Sequence, residues 1–153
     1  MARVSPAELE RYIHEHIPLS RAMAVSVRSV EHDAVILLAP LAPNINHRDT
    51  VFGGSASALA ILAAWSLLHV RLRAEGITGR LVIQRNSMEY ERPIVGEFTA
   101  RSSLELPGQW QKFTHTLARK GRGRVNVSAV LEQGDQVVGR FTGEFVAWRE
   151  TRG

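Results

Sequence analysis

The longest apolar segment of the chain is an uncharged run that follows a Gly-Gly pair. No charged residue occurs from Val51 to Val70, and apolar side chains recur on almost every side of the helix that this run would form. A helix that is apolar all round is surrounded either by protein or by lipid. The pattern predicts a long helix from about Ser55 to Glu75, ended by Gly76.

Two features favour burial of this helix in protein. Much of the run is Ala, Gly and Ser, which insert only weakly into lipid. The segments that follow it alternate apolar and polar residues, as strands do when they cover a core on one side. A helix of roughly 20 residues is about 30 Å long, which a strand of about nine residues also spans. One sheet can therefore wrap the whole helix, and we expect no membrane span.

Shorter patterns predict the remaining elements. Ser5 and Pro6 begin an amphipathic helix that should end near Pro18, and the apolar stretch from Ala24 to Ala39 is divided into two strands by a polar turn at 31–33. A longer strand is predicted from Arg80 to Tyr90. Alternation predicts strands at 98–106, 124–132 and 141–147, and the spacing at 107–121 suits a second amphipathic helix.

Composition narrows the class of protein. With 153 residues, 44% of them hydrophobic, the chain is long enough for one domain with a core, which we assign to 1–153. The formal charge of +4 favours anionic partners. The absence of cysteine excludes disulfides, a thiol nucleophile and cysteine-ligated zinc, and the amino terminus lacks the apolar core of a signal peptide. We expect a cytoplasmic protein.

The Gly53-Gly54 pair is the first candidate for chemistry. A helix N-terminus offers unpaired backbone N–H groups and a partial positive charge, and glycine allows a ligand to approach the backbone closely. This arrangement suits polarisation of a carbonyl group. The alternative is that the two glycines only form a tight turn.

Asn46, His47 and Asp49 lie just before this pair. An amide, an imidazole and a carboxylate can together position or activate a water molecule if they face the reacting carbon. The alternative is that these side chains satisfy the backbone of the loop, as Asn and Asp commonly do.

The third candidate is a basic cluster formed by Arg119, Lys120, Arg122 and Arg124, with glycines between them. Such a cluster can hold phosphate groups. It can equally be a solvated turn. Because the cluster is short and lacks interleaved aromatic residues, we expect no nucleic-acid partner.

Several segments resemble a known superfamily. "NHRDTVFGGS" resembles the loop and helix start written Asn…His-Gly-Gly in phenylacetate-type thioesterases of the hotdog fold, and "SMEYERPIVGEFTARS" resembles their Tyr-x-x-Pro-x-x-Gly strand. A closer resemblance is to the thioesterase domain at the C-terminus of YiiD-type acetyltransferases, with "APLAPNINH", "TVFGGS", "RKG" and "FVAW" in similar positions. The resemblance covers nearly the whole chain.

This resemblance implies a fold, an activity and a site. The fold would be α+β, a curved antiparallel sheet wrapped around one long central helix, assembled at least as a homodimer. The activity would be hydrolysis of an acyl-CoA or acyl-carrier-protein thioester to free acid and thiol, with no metal or redox cofactor and coenzyme A present as part of the substrate. Gly53 and Gly54 would stabilise the oxyanion, Asn46 would place substrate or water, and the basic cluster would hold the phosphates of coenzyme A.

The chain departs from the resembling thioesterases at two positions. Ile61 stands where they carry an Asp or Glu two turns into the helix, and Phe52 stands where a His precedes Gly-Gly. The base would then be His47 or Asp49, or else Ser57, Gln84 or Asn86 would orient a water molecule. Phe52, Ser57, Gln84 and Asn86, with the four basic residues, are the predicted substrate contacts.

A non-catalytic acyl-thioester-binding or regulatory protein is the alternative that the missing acid supports. A dehydratase of the same fold is less favoured, because it would need a His and an acid converging across the dimer. Trp65 and Trp110 are expected in the core.

Overall fold

A computed structural model describes residues 3–104 and 106–150, which form one antiparallel sheet and one long helix with smaller helices beside it. The helices are α1 (Pro6–His16), α2 (Pro18–Ala22), α3 (Gly53–Ala74) and α4 (Gln109–Lys120), with a short 3-10 turn at Ala42–Asn44. The strands are β1 (Ser26–Val30), β2 (Ala34–Ala39), β3 (Gly79–Tyr90), β4 (Phe98–Ser103), β5 (Arg122–Gln133) and β6 (Gln136–Arg149). Their order in the sheet is β1-β2-β4-β5-β6-β3.

The core lies between α3 and the sheet. The helix packs against β2, β4, β5, β6 and β3, and Leu59, Ala63 and Leu67 on it are fully buried. By length and composition α3 is apolar enough to cross a membrane, but 67% of its most apolar window is buried inside this fold. The expected arrangement, a sheet wrapped around one central helix, is the hotdog fold and is confirmed.

The strand β3 forms one edge of the sheet. It has 12 residues and pairs with β6, and within the described part of the chain no strand pairs with its outer edge. Most of its side chains are exposed, including the apolar Val82 at 47%. A long, exposed edge with apolar residues is suited to pairing with another strand.

Two predicted boundaries were wrong, and one short helix was not predicted. The central helix begins at Gly53 instead of Ser55, so the two glycines are its first residues. The first helix ends at His16, near Pro18 as predicted, but Pro18 also begins the unpredicted helix α2, because proline is favoured at the first helical position. The strand predicted to reach Leu106 stops at Ser103, since the turn at Pro107 and Gly108 leads the chain into α4. Glu105 lies outside the described residues.

Candidate active site

The start of α3 carries backbone donors without partners. The first hydrogen bonds of the helix run from the N–H groups of Ser55 and Ala56 to the carbonyl oxygen of Phe52, at 2.9 and 3.1 Å. In the described part of the chain, the N–H groups of Gly53 and Gly54 donate to no other group. They therefore remain available, at the positive end of the helix dipole, for a carbonyl oxygen or an anion.

Two aromatic rings flank these donors. A side chain at Gly54 would overlap the ring of Phe52, whereas a Cβ atom at Gly53 would lie 3.4 Å from Cε1 of Tyr90, an ordinary contact. A side chain at position 54 would therefore displace the exposed ring of Phe52, a residue that was predicted as a substrate contact. The place of Tyr90 was not predicted, although it is the tyrosine of the Tyr-x-x-Pro-x-x-Gly segment, which was the available signal.

Asn46 holds the turn that leads into the helix. Its side-chain oxygen accepts hydrogen bonds from the N–H groups of Arg48 and Thr50, at 2.8 and 3.1 Å, and its Nδ2 donates to Oγ1 of Thr50 at 2.8 Å. The backbone of Asn46 also donates to the carbonyl of Thr50. Its polar atoms are engaged within the turn, as expected of a residue that satisfies loop backbone.

His47 and Asp49 lie at the tip of the same turn, and both side chains are exposed. Asp49 has a φ of 62°, a left-handed conformation that Asp adopts more readily than most residues. Among residues 3–104 and 106–150, neither side chain has a hydrogen-bond or ion-pair partner. No group in the described part of the chain therefore orients either side chain towards the helix start.

Ser57, Gln84 and Asn86 lie on the side of α3 that β3 passes. Two contacts fix how the strand passes the helix, because Tyr90 lies against Gly53 and Nε1 of Trp65 donates to the carbonyl of Leu81 at 3.1 Å.

Between these contacts, Gln84 occupies a bulge in β3, and Asn86 pairs with Gly143, whose strand face is buried against the core. Ser57 is half-buried one turn after Gly53, and Ile61, also half-buried, follows one turn later. The pairing with Gly143 thus puts Asn86 on the face of β3 that is turned towards the core, and Ser57 lies in the first half of α3, but among the described residues no hydrogen bond joins Ser57 to Gln84 or Asn86.

The basic cluster lies elsewhere in the chain. Lys120, Arg122 and Arg124 line a surface cavity of about 940 Å³ beside α4, together with Lys112 and Glu144. Arg119 is exposed at the end of α4.

The register of the sheet places this cluster far from the helix start. Arg122 pairs with Trp148, which pairs in turn with Arg80 at the beginning of β3, whereas the helix start lies at the other end of that strand, against Tyr90. The 22 residues of α3 extend about 33 Å at 1.5 Å per residue. Within one chain, the basic cluster and Gly53 therefore lie towards opposite ends of the central helix.

The same described residues contain no group of three or more His, Asp or Glu side chains arranged to hold a metal ion. A cavity of about 380 Å³ contains Gly53 and Tyr90, and Glu91 and Arg92 also line it. The carboxylate of Glu91 accepts a hydrogen bond from Nε of Arg140 at 2.9 Å. The helix start therefore offers backbone donors, aromatic walls and, in the adjoining loop, charged side chains.

Known proteins resemble this chain over almost its full length. The family described as "Putative thioesterase (yiiD_Cterm)" matches residues 6–149. A protein of unknown function from Chlorobaculum tepidum superposes with a TM-score of 0.89 at 26% identity, over 98% of this chain and 100% of that chain. A putative thioesterase from Shewanella oneidensis has a TM-score of 0.83 at 22% identity, over 94% of this chain and 96% of that one. A thioesterase from Haemophilus influenzae superposes with a TM-score of 0.76 at 12% identity, over 97% of this chain and 93% of that chain. The family match covers nearly all of the described residues, and the chain therefore belongs to the yiiD C-terminal thioesterase family, with the hotdog fold.

Proposed function

We propose that the protein hydrolyses an acyl thioester of coenzyme A or of an acyl carrier protein to the free acid and the thiol. The observation that carries this proposal is the pair of unpartnered N–H groups at Gly53 and Gly54, flanked by two aromatic rings, in a chain of a thioesterase family. We also propose that the reaction takes place in the cytoplasm and needs no cofactor beyond the coenzyme A of the substrate.

The helix start supplies the oxyanion site in this proposal. The thioester carbonyl oxygen accepts hydrogen bonds from the two N–H groups. A water molecule attacks the carbonyl carbon and loses one proton to solvent or to a nearby group. The C–S bond then breaks, and the thiolate leaves and takes up a proton. An oxyanion donor typically lowers the activation free energy of such a reaction by about 3 to 4 kcal/mol.

The attacking water is held by polar side chains in the first half of α3 and on β3. Ser57 and Asn86 lie on the side of the helix that β3 passes, and Ile61 occupies the position where the resembling enzymes have an acid. A well-placed general base adds roughly 10² to 10⁴ in rate, so an enzyme that only orients water is slow. His47 and Asp49 are the alternative base, and their exposed positions do not support that role.

In a homodimer, the basic cluster of one subunit can lie near the helix start of the other. Two copies of β3 that pair antiparallel about a two-fold axis near Gln84 and Arg85 place the partner subunit's Gly79 beside Tyr90. The partner subunit's Arg122 then lies three strands away from Tyr90, or about 14 Å at the usual strand spacing. In this arrangement, the basic cluster of one subunit holds the phosphates of coenzyme A whose thioester lies at the helix start of the other.

The experiment that tests the proposal is a thiol-release assay with acyl-CoA substrates, in which the free acid is identified separately. The proposal predicts stoichiometric acid and thiol with catalytic turnover. A non-catalytic acyl-thioester-binding protein, which the apolar Ile61 favours, would bind the same esters and release no thiol.

A further inference from the structure

We infer that a cavity beside the first half of α3 binds an unbranched acyl chain of medium length, and that Trp65 sets the length limit. This inference rests on the proposed function, because it assigns the acyl group of the proposed substrate to a particular place. The cavity has a volume of about 300 Å³ and lies between α2, α3, β3 and β6. This volume is at the lower end of the range for small-molecule pockets, roughly 300 to 1,000 Å³.

The walls of the cavity present almost no polar groups to a ligand. Met23, Ile61, Ile83 and Phe145 are among the lining residues, and of the described residues that line it, Ser20 alone is a polar type. The hydroxyl of Ser20 hydrogen-bonds to the carbonyl oxygens of Ile13 and Ile17, at 2.9 and 2.8 Å. A ligand in this cavity is therefore recognised by its apolar surface, as an aliphatic chain is.

The cavity lies on one face of α3, and the same face begins at Gly54, one turn before the first residue that lines the cavity. Residues three or four apart share a helix face, so Gly54, Ala58, Ile61 and Trp65 form one stripe, and the last three line the cavity. Ala58 is the small residue between the donors and the deeper walls. A chain attached to a carbonyl group at Gly53 and Gly54 can therefore pass over Ala58 into the cavity.

Trp65 closes the far end. Its indole N–H donates to the carbonyl of Leu81, and its ring stacks on that of His69, with centroids 4.6 Å apart and an interplanar angle of 13°. Beyond it lies a second cavity of about 480 Å³, lined by more polar residues that include Tyr12, His69 and Arg73. Trp65 lines both cavities and stands between them.

The volume gives the expected chain length. A methylene group is about as large as a water molecule, whose share of liquid volume is about 30 Å³, so 300 Å³ holds roughly eight to ten carbons. Longer chains would need Trp65 to move, which would break its hydrogen bond to Leu81 and its stack on His69.

The test compares acyl-CoA esters from about four to sixteen carbons. We expect kcat/KM of the wild type to be highest near about eight to ten carbons. Trp65→Ala joins the two cavities and should move the maximum to longer chains, while Ile61→Phe narrows the first cavity and should move it to shorter chains. Opposite shifts cannot arise from a general loss of stability, and Ile61→Phe remains informative if Trp65→Ala fails to fold.

Trp110→Ala is the matched control. Trp110 is a buried tryptophan whose indole N–H is hydrogen-bonded, as that of Trp65 is; its partner is Oε2 of Glu75 at 2.6 Å, and it does not line the cavity. This variant should keep the wild-type length preference. A wild type without length preference, or variants whose maximum stays where the wild type has it, would overturn the inference.

A binding experiment tests this inference independently of the proposed hydrolysis. Non-hydrolysable S-alkyl-CoA thioethers of the same lengths, titrated by calorimetry into the full chain, report the cavity without any turnover. Length-dependent binding with no thiol release from the esters would support the acyl cavity and contradict the hydrolase. Thiol release without length dependence in either assay would contradict the cavity and leave the hydrolase standing.

Discussion

Gly53 and Gly54 are adjacent and yet have different requirements. A side chain at position 54 would displace the exposed ring of Phe52, while position 53 has room for a methyl group against Tyr90. Alanine at position 53 therefore leaves both the N–H group and the neighbouring ring in place, whereas alanine at position 54 also moves Phe52.

The polar residues near the helix start give the first prediction. Ser57→Ala and Asn86→Ala should each lower kcat by about tenfold or more, because each removes a group that orients the attacking water. The kcat values of His47→Ala and Asp49→Asn should stay within about twofold of the wild-type value, because both side chains lie at an exposed turn tip. Steady-state kinetics with one acyl-CoA ester measures all four. The opposite ranking would assign the base to the loop.

Residues that are neighbours in the sequence could be predicted as parts of a site. Gly53-Gly54 and the basic cluster are contiguous, so their chemistry is visible without a fold. Tyr90 and Trp65 could not be assigned in this way, because their positions depend on how β3 and α2 pack against α3. The sequence therefore placed Trp65 in the core, whereas the structure finds it half-buried between two cavities.

At the scale of elements, α1 and α3 are joined by an aromatic stack. His69 of α3 lies against Trp65 on the same helix and against Tyr12 of α1, with ring centroids 4.6 and 4.5 Å apart. Burial, followed by the nearby charges of Arg73 and His16, lowers the pKa of His69 from 6.5 to about 4. The folded protein therefore favours the neutral imidazole.

This pKa gives a prediction for stability. Between about pH 6.5 and pH 4, the unfolded chain binds a proton at His69 that the folded chain does not, so the free energy of unfolding should fall as the pH falls through this window. His69→Gln should show a shallower fall in urea denaturation at a series of pH values. His115→Gln, at an exposed position on α4, should follow the wild type. If the free energy of unfolding depends on pH in the same way in His69→Gln and in the wild type, the lowered pKa of His69 is contradicted.

The elements themselves were largely predictable, because their patterns are long and regular. The alternation in β5 and β6 and the uncharged run of α3 each extend over many residues. The short helix α2 was missed, since five residues carry no clear period and Pro18 was interpreted as a stop.

At the scale of the whole molecule, the exposed edge of β3 predicts a dimer. We expect light scattering to give twice the 17.0 kDa mass of one chain. Val82→Asp should shift the protein towards monomer and reduce turnover, because it places a charge on the pairing edge. Val95→Asp is the matched control, since Val95 is 58% exposed and lies outside the strand. A stable, fully active species with the mass of one chain would contradict the dimer.

The basic cluster gives a prediction about binding. Arg122→Ala with Arg124→Ala should raise KM for acyl-CoA with little change in kcat, because these charges would hold the ground state and the transition state alike. High salt should also raise the KM of the wild type for acyl-CoA, because it screens the same charges. Arg101→Ala, at an exposed arginine of β4, serves as the control. A collapse of kcat with unchanged KM would rule out the phosphate-binding role, and unchanged kinetics would indicate a solvated turn.

The most direct test of the account removes one backbone donor from the helix start. Gly53 is the first residue of α3, where proline is well tolerated, and Phe52 before it has φ −59° and ψ 132°, a conformation that suits a residue preceding proline. Gly53→Pro therefore deletes one N–H group with little change in the fold, and Gly53→Ala retains it. We predict that kcat for an acyl-CoA ester falls about 10² to 10³ fold in the proline variant relative to the alanine variant, with thioether binding and melting temperature preserved. Equal rates for the two folded variants, or a wild type that releases no thiol, would contradict hydrolysis at the start of this helix.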